Sequence, residues 1–159
     1  MSVLIAYATK YGCAEKCAKM LSEKITDKVD LCDLSKNKKV DPAPYDTVIV
    51  GGSMYMGRIM KQVPAFYQKH ADTLKQKRTG FFLSAMAEGE DLKKELEASY
   101  PEDLRSSAHA VECFGGECII GKLKPFHKFI YTKVAKTEED LSKIDVEAIG
   151  RFAEAINKA

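Results

Sequence analysis

Apolar runs of four to seven residues alternate with stretches of helical periodicity along almost the whole chain. Val3 to Tyr7 reads as a buried strand and is followed, from about Ala14 to Ile25, by Cys17, Met20, Leu21 and Lys24 at i, i+3, i+4 and i+7, a helix ending on a lysine. A short strand is predicted around Val29 to Leu34, then a polar turn through Asn37 to Pro44. Thr47 to Val50 is the next buried strand and ends in Gly51-Gly52-Ser53. A helix starts near Val63, with Pro64 in its first turn where a missing N–H costs nothing, and extends to about Lys75. Thr79 to Ser84 is a fourth strand, Asp91 to Tyr100 a helix stopped by Pro101, and Ala108 to Phe114 a fifth strand broken off by Gly115-Gly116. The last helix, Val146 to Lys158, has Asp145 as its N-cap and a buried stripe of Val146, Ile149, Phe152, Ala153 and Ile156.

Strands alternating with helices at this spacing imply right-handed crossovers and a five-stranded parallel sheet with helices on both faces, an open α/β architecture in one domain over residues 1–159. Ligands of such sheets sit beyond the carboxyl ends of the strands at the topological switch point. Three loops should therefore converge: Thr9 to Ala14, Gly51 to Arg58 and Ser84 to Asp91.

The first of these loops has the chemistry of a phosphate trap. The N–H groups of a helix's first turn lack partners, the helix dipole adds partial positive charge, Thr9 brings a hydroxyl and Gly12 permits close backbone approach. Neither G-x-x-x-x-G-K-[ST] nor G-x-G-x-x-G occurs. On these residues alone an ordinary strand-to-helix turn remains the alternative.

A chain of 159 residues buries roughly 70% of its unfolded surface without staples. Its 45% hydrophobic and 30% charged residues are those of a globular protein. With no apolar run near the roughly 18 residues of a bilayer span, and no basic-then-apolar leader pattern, a cytoplasmic location is expected. Five cysteines without a C-x-x-C pair point to reduced thiols. Cys13 and Cys17, one helical turn apart, are read as a redox pair or as small packing residues, the latter being favoured; Cys113 and Cys118 flank a glycine turn and could meet, but two small buried hydrophobes are the favoured reading. His70, His109 and His127 have no metal-site spacing.

The chain resembles the flavodoxin family, through Thr9-Lys10-Tyr11-Gly12-Cys13-Ala14 after the first strand, Gly51-Gly52-Ser53-Met54-Tyr55 after the third, and the alternation of elements over nearly all residues. The resemblance implies FMN, with its phosphate wrapped by the first loop, an aromatic at Tyr55 stacked on the isoalloxazine within Ser53-Met54-Tyr55-Met56-Gly57, and its pyrimidine end lined by Ser84-Ala85-Met86-Ala87-Glu88. Ala14 departs from the family's usual threonine, a lost hydroxyl bond of about 1 kcal/mol. Met54, Met56 and Met60 suit the gap beside a planar ring. Glu88, Glu90 and Asp91 would repel anions there.

Two features separate the chain from small acidic electron carriers. Its net charge is +2, and residues 118–137 hold Lys122, Lys124, Lys128, Lys133 and Lys136 with no acid, so that +5 sits in this segment and −3 in the remainder. Phe126, Phe129, Ile130 and Val134 follow Pro125 at helical spacing, giving a basic amphipathic helix that either packs on the core or makes peripheral contact with an anionic membrane. No nucleic-acid reading motif accompanies it. The run Gly51 to Arg58 with Gly115-Gly116 is similar to the flavodoxin-like menaquinone-dependent protoporphyrinogen dehydrogenases, although their long insertion after the fourth strand is not evident. That similarity implies an FMN oxidoreductase acting on protoporphyrinogen IX or a similar small molecule with a quinone acceptor. Arg58 and Lys61 would then meet substrate carboxylates, or are simply solvated. The alternatives are an FMN electron carrier between protein partners and a flavin-free interaction module.

Overall fold

The computed structural model describes residues 1–118 and 141–159, together with Pro125 and Phe129. Five parallel strands form the expected sheet: β1 (Ser2–Ala8), β2 (Lys28–Asp33), β3 (Thr47–Tyr55), β5 (Arg78–Ser84) and β6 (Ala110–Cys113), in the order β2-β1-β3-β5-β6. The two-residue β4 (Arg58–Ile59) pairs antiparallel with the end of β3.

β1 is apolar throughout because both of its faces are covered. Val3, Ile5 and Tyr7 share one core with α1 (Cys13–Lys24) and α6 (Val146–Lys158), while Leu4, Ala6 and Ala8 face the layer that includes α2 (Gln62–Lys69), α3 (Ala71–Lys75), α4 (Gly89–Ser99) and α5 (Glu102–Ser107). β2 lies at the edge, and its Lys28 and Asp30 are exposed, charges that discourage pairing with another sheet. In the second core the fully buried Tyr100 hydroxyl donates to the Phe82 carbonyl at 2.6 Å, tying the chain after α4 to β5.

Asp145 caps α6, its carboxylate accepting the Ala148 N–H at 3.0 Å. Ile149, Phe152, Ala153 and Ile156 are buried, but Val146 is 50% exposed: as the first residue after the cap it points away from the stripe.

Three local expectations are corrected. Gly51 and Gly52 do not end the third strand but lie inside β3. The helix expected from Val63 to Lys75 divides at His70, whose φ of −109° and ψ of 22° leave the helical region. Between β5 and β6 there are two helices, since Pro101 ends α4 and precedes α5. The fifth strand does end before Gly115-Gly116, and beyond it an unexpected strand, β7 (Gly115–Cys118), pairs antiparallel with β8 (Leu141–Ile144). The amphipathic helix expected around Phe126 to Val134, with its lysines 122–136, lies outside the described residues apart from Pro125 and Phe129.

Candidate functional site

The three loops meet at the switch point. β1 is flanked by β2 and β3, so the chain ends leaving β1 and β3 diverge to opposite sides and open a cleft between them. A cavity of about 260 Å³ occupies this place.

Its first wall is the β1–α1 loop. Gly12 stands at the N-cap with φ of 96°, a left-handed conformation that suits glycine, and offers no side-chain cap. The first intrahelical bond runs from Lys16 N–H to the Gly12 carbonyl at 3.0 Å, so the N–H groups of Cys13, Ala14 and Glu15 form the free first turn. Thr9 Oγ1 accepts the Gly12 N–H at 2.9 Å and lies 3.4 Å from Ser53 Oγ, which joins the ends of β1 and β3. Ala14 is fully buried, its methyl in the core.

The second wall is the β3–β4 hairpin. Met56 (φ 52°) and Gly57 (φ 78°) make a two-residue turn with both residues left-handed, the geometry that matches strand twist. Met56 at its tip is 63% exposed. Met86, from the third loop, is 39% exposed. Two flexible apolar side chains thus border the opening, an arrangement suited to a flat apolar group.

Lys10, Tyr11, Cys13, Ser53, Met54, Met56, Gly57, Ser84, Ala85, Met86 and Ala87 line the cavity together. Thr9, Gly12 and Ala14 are not among the lining residues, although Thr9 bonds Gly12 of the same loop. Tyr55 is outside the lining, and the Lys10 ammonium sits 5.0 Å from its ring centroid. Glu88 faces a neighbouring hollow and pairs with Lys143 at 3.8 Å. Arg58 lies exposed on β4, and Lys61 caps α2 beside a different cavity.

Three lining residues were not read from the sequence: Glu95, Gly116 and Glu117. The glycine pair at 115–116 was the available signal. A Cβ on Gly116 would stand 2.6 Å from Met86 Sδ and 2.9 Å from the Ala85 carbonyl carbon, so glycine lets β7 close against the third loop. Glu117 is held by Lys16 at 2.9 Å and accepts from Ser142 Oγ at 3.0 Å. Glu95 is different: its Oε2 is buried and has no hydrogen-bond partner among the described residues, and burial, then Asp91, pushes its carboxyl above the usual range.

Cys13 is the first residue of α1, and its Sγ accepts from Ser84 Oγ at 3.0 Å. Hydrogen bonding from the Cys17 thiol, then burial acting against it, then Ser84, leave the Cys13 thiol below the ordinary cysteine value; the same Cys13 contact and burial push Cys17 up. Cys13, Cys17, Cys32 and Cys113 are free thiols. Among the described residues no group of side chains is arranged to hold a metal ion, and no helix is long and apolar enough to cross a membrane.

A doubly wound sheet, a free helix N-terminus at its switch point and a slot bordered by apolar side chains define a class: α/β proteins that hold a phosphorylated planar ligand at the carboxyl ends of their strands. The chain belongs to the flavodoxin domain family, which it matches over residues 4–145. Solved structures agree in fold. A short-chain flavodoxin associated with a non-canonical PDU bacterial microcompartment has 20% identity and a TM-score of 0.67, covering 99% of this chain and 97% of its own. Streptococcus pneumonia TIGR4 flavodoxin has 20% identity and a TM-score of 0.62, with 99% of each chain covered. Fusobacterium nucleatum flavodoxin, solved bound to flavin mononucleotide, has 12% identity and a TM-score of 0.60, covering 99% and 97%. No curated protein matches the chain in sequence.

Proposed function

We propose that the chain binds FMN in this cleft and carries electrons between protein partners. The observation that carries this reading is the free first turn of α1 opening into a slot bordered by Met56 and Met86. The N–H groups of Cys13, Ala14 and Glu15 with Thr9 and Ser53 would hold the phosphate, and the methionines would cover the ring. Stacking on Tyr55 requires Lys10 to leave that ring. FMN, when bound, supplies one- and two-electron exchange that no side chain here offers. The chain's own part is to orient the ring and limit water at its faces.

Beside the cleft, residues 88–103 carry seven acids against Lys93 and Lys94, which supports docking of a basic partner. The enzyme reading, oxidation of protoporphyrinogen IX or a similar small molecule with a quinone as acceptor, rests on the resemblance at Gly51 to Arg58; membrane contact through the 122–136 lysines belongs with it.

Titration of the purified protein with FMN tests the proposal. Saturable quenching of FMN fluorescence is expected, tightened about fivefold by Ala14→Thr through one regained bond of about 1 kcal/mol. Unchanged fluorescence would leave the flavin-free interaction module. Reduction of bound FMN by a small molecule without any protein donor would favour the enzyme.

A further inference from the structure

We propose that a second cavity, separate from the flavin cleft, binds a small aromatic carboxylate. It measures about 400 Å³, within the range of small-molecule sites, and lies between the loop after β2 and one face of α2.

Helical spacing builds its α2 wall. Lys61, Ala65 and Lys69 recur at i, i+4 and i+8, and Gln62, Phe66 and His70 form the adjacent stripe. The loop contributes Leu34 and Lys38. Leu34 and Phe66 are 2% and 5% exposed and give the cavity an apolar floor. The Phe66 and His70 rings lie 4.8 Å apart at 51°, an arrangement onto which a further aromatic ring packs.

Charge selects the ligand's other end. Lys38, Lys61 and Lys69 converge on this space, and no acid lines it. Lys16, Lys19, Lys143 and Lys158 are matched with acids, whereas these three form no ion pair among the described residues and line one apolar-floored cavity together. Asp41 is the acid whose field reaches His70; burial and Lys69 oppose it and keep the ring toward its neutral form.

The cavity base is also polar and unsatisfied. Gln62 Oε1 and His70 Nε2 are buried without a hydrogen-bond partner among the described residues. Native proteins leave few such atoms. Rotation about the terminal torsion of Gln62 presents its NH2 donors, and neutral His70 carries one ring N–H, so a carboxylate meets donors from both while the lysines balance its charge. A neutral ring would draw no attraction from the lysines, and a bare anion would leave the apolar floor unfilled.

The test uses the full chain and sodium benzoate as the probe, with amide chemical shifts followed by NMR. Benzoate is expected to give saturable shifts at residues 34–38 and 61–70, with benzamide, acetate and inorganic phosphate each at least tenfold weaker. Lys38→Gln with Lys69→Gln should lower benzoate affinity tenfold or more and leave the melting curve in place. The proposal is overturned if benzoate moves none of these amides, moves only those at 9–14 and 84–88, is matched by benzamide, acetate or phosphate, or binds the double variant unchanged.

Discussion

Cys13 couples the anion cradle to pH. Its Sγ, at the start of α1, accepts from the Cys17 thiol and, at 3.0 Å, from Ser84, so deprotonation occurs below the ordinary thiol range and puts a negative charge where the FMN phosphate would lie. As pH rises through that value, FMN affinity should fall by roughly fivefold, the order of one like-charge contact of about 1 kcal/mol in a wet site. Cys13→Ser does not titrate. The phosphate's own ionisation is common to both proteins and cancels in their ratio, so fluorescence titrations of the pair between about pH 6 and 9 isolate the thiol; coincident profiles would remove its role. Glu95 acts in the opposite sense. Its folded value is raised above the ordinary 4.5, so its contribution to stability is full below that value and is lost as pH climbs through the folded one. Glu95→Gln should therefore match the native protein in acid and melt roughly 2–4 °C higher above it, for about 1 kcal/mol of relieved burial. A melting difference independent of pH would show that charge at Glu95 is not the cause.

At the scale of elements, β3 shows what local pattern conveys and what it hides. Its first four residues read as a buried strand and Gly51-Gly52 as its end; yet the strand continues to Tyr55. The glycines are there for tertiary reasons: a Cβ on Gly51 would overlap the Phe82 ring of β5, and one on Gly52 would stand 2.7 Å from Val63 Cγ2 of α2. Gly51→Ala should cost about 1–3 kcal/mol by overpacking, and Phe82→Leu should restore part of it, a coupling that a double-mutant cycle by thermal melting measures directly. Additive losses would mean that the ring is not what excludes the methyl. The same distinction governs the rest of the chain. Five strands, both phases of β1 and the capped α6 were legible, because period and caps are local signals. The β7–β8 pair was not, since Gly115 opposite Ile144 is a partnership between distant segments. Nor was Glu95, a charged residue on a helix that reads as solvated until the fold turns it toward the cleft. Lys61 looked like part of the same site as Arg58 because it is close in sequence, but the start of α2 takes it to another cavity.

At the scale of the whole molecule, charge is unevenly distributed along the chain. A net of +2 conceals an acid-rich stretch over 88–103 and five lysines without an acid over 118–137. Glu90, Glu97, Glu102 and Asp103 are exposed on α4 and α5, and Glu95 of the same helix lines the cleft, so a partner drawn to this flank arrives close to the ring edge. Such attraction acts on the association rate more than on the bound state, and salt weakens it once the screening length falls below the roughly 10 Å reached at 0.1 M. With a flavoprotein reductase of basic docking face as donor, the second-order rate of FMN reduction should drop about tenfold between low salt and 0.3 M. Glu90→Lys with Glu97→Lys should lower the low-salt rate by a similar factor and flatten the salt dependence, while chemical reduction by dithionite stays as in the native protein. That last control separates docking from the flavin itself, because neither glutamate lines the cleft. A rate that rises in the double variant would instead show that docking does not use the acids of α4 and α5, and that the donor approaches with an acidic face.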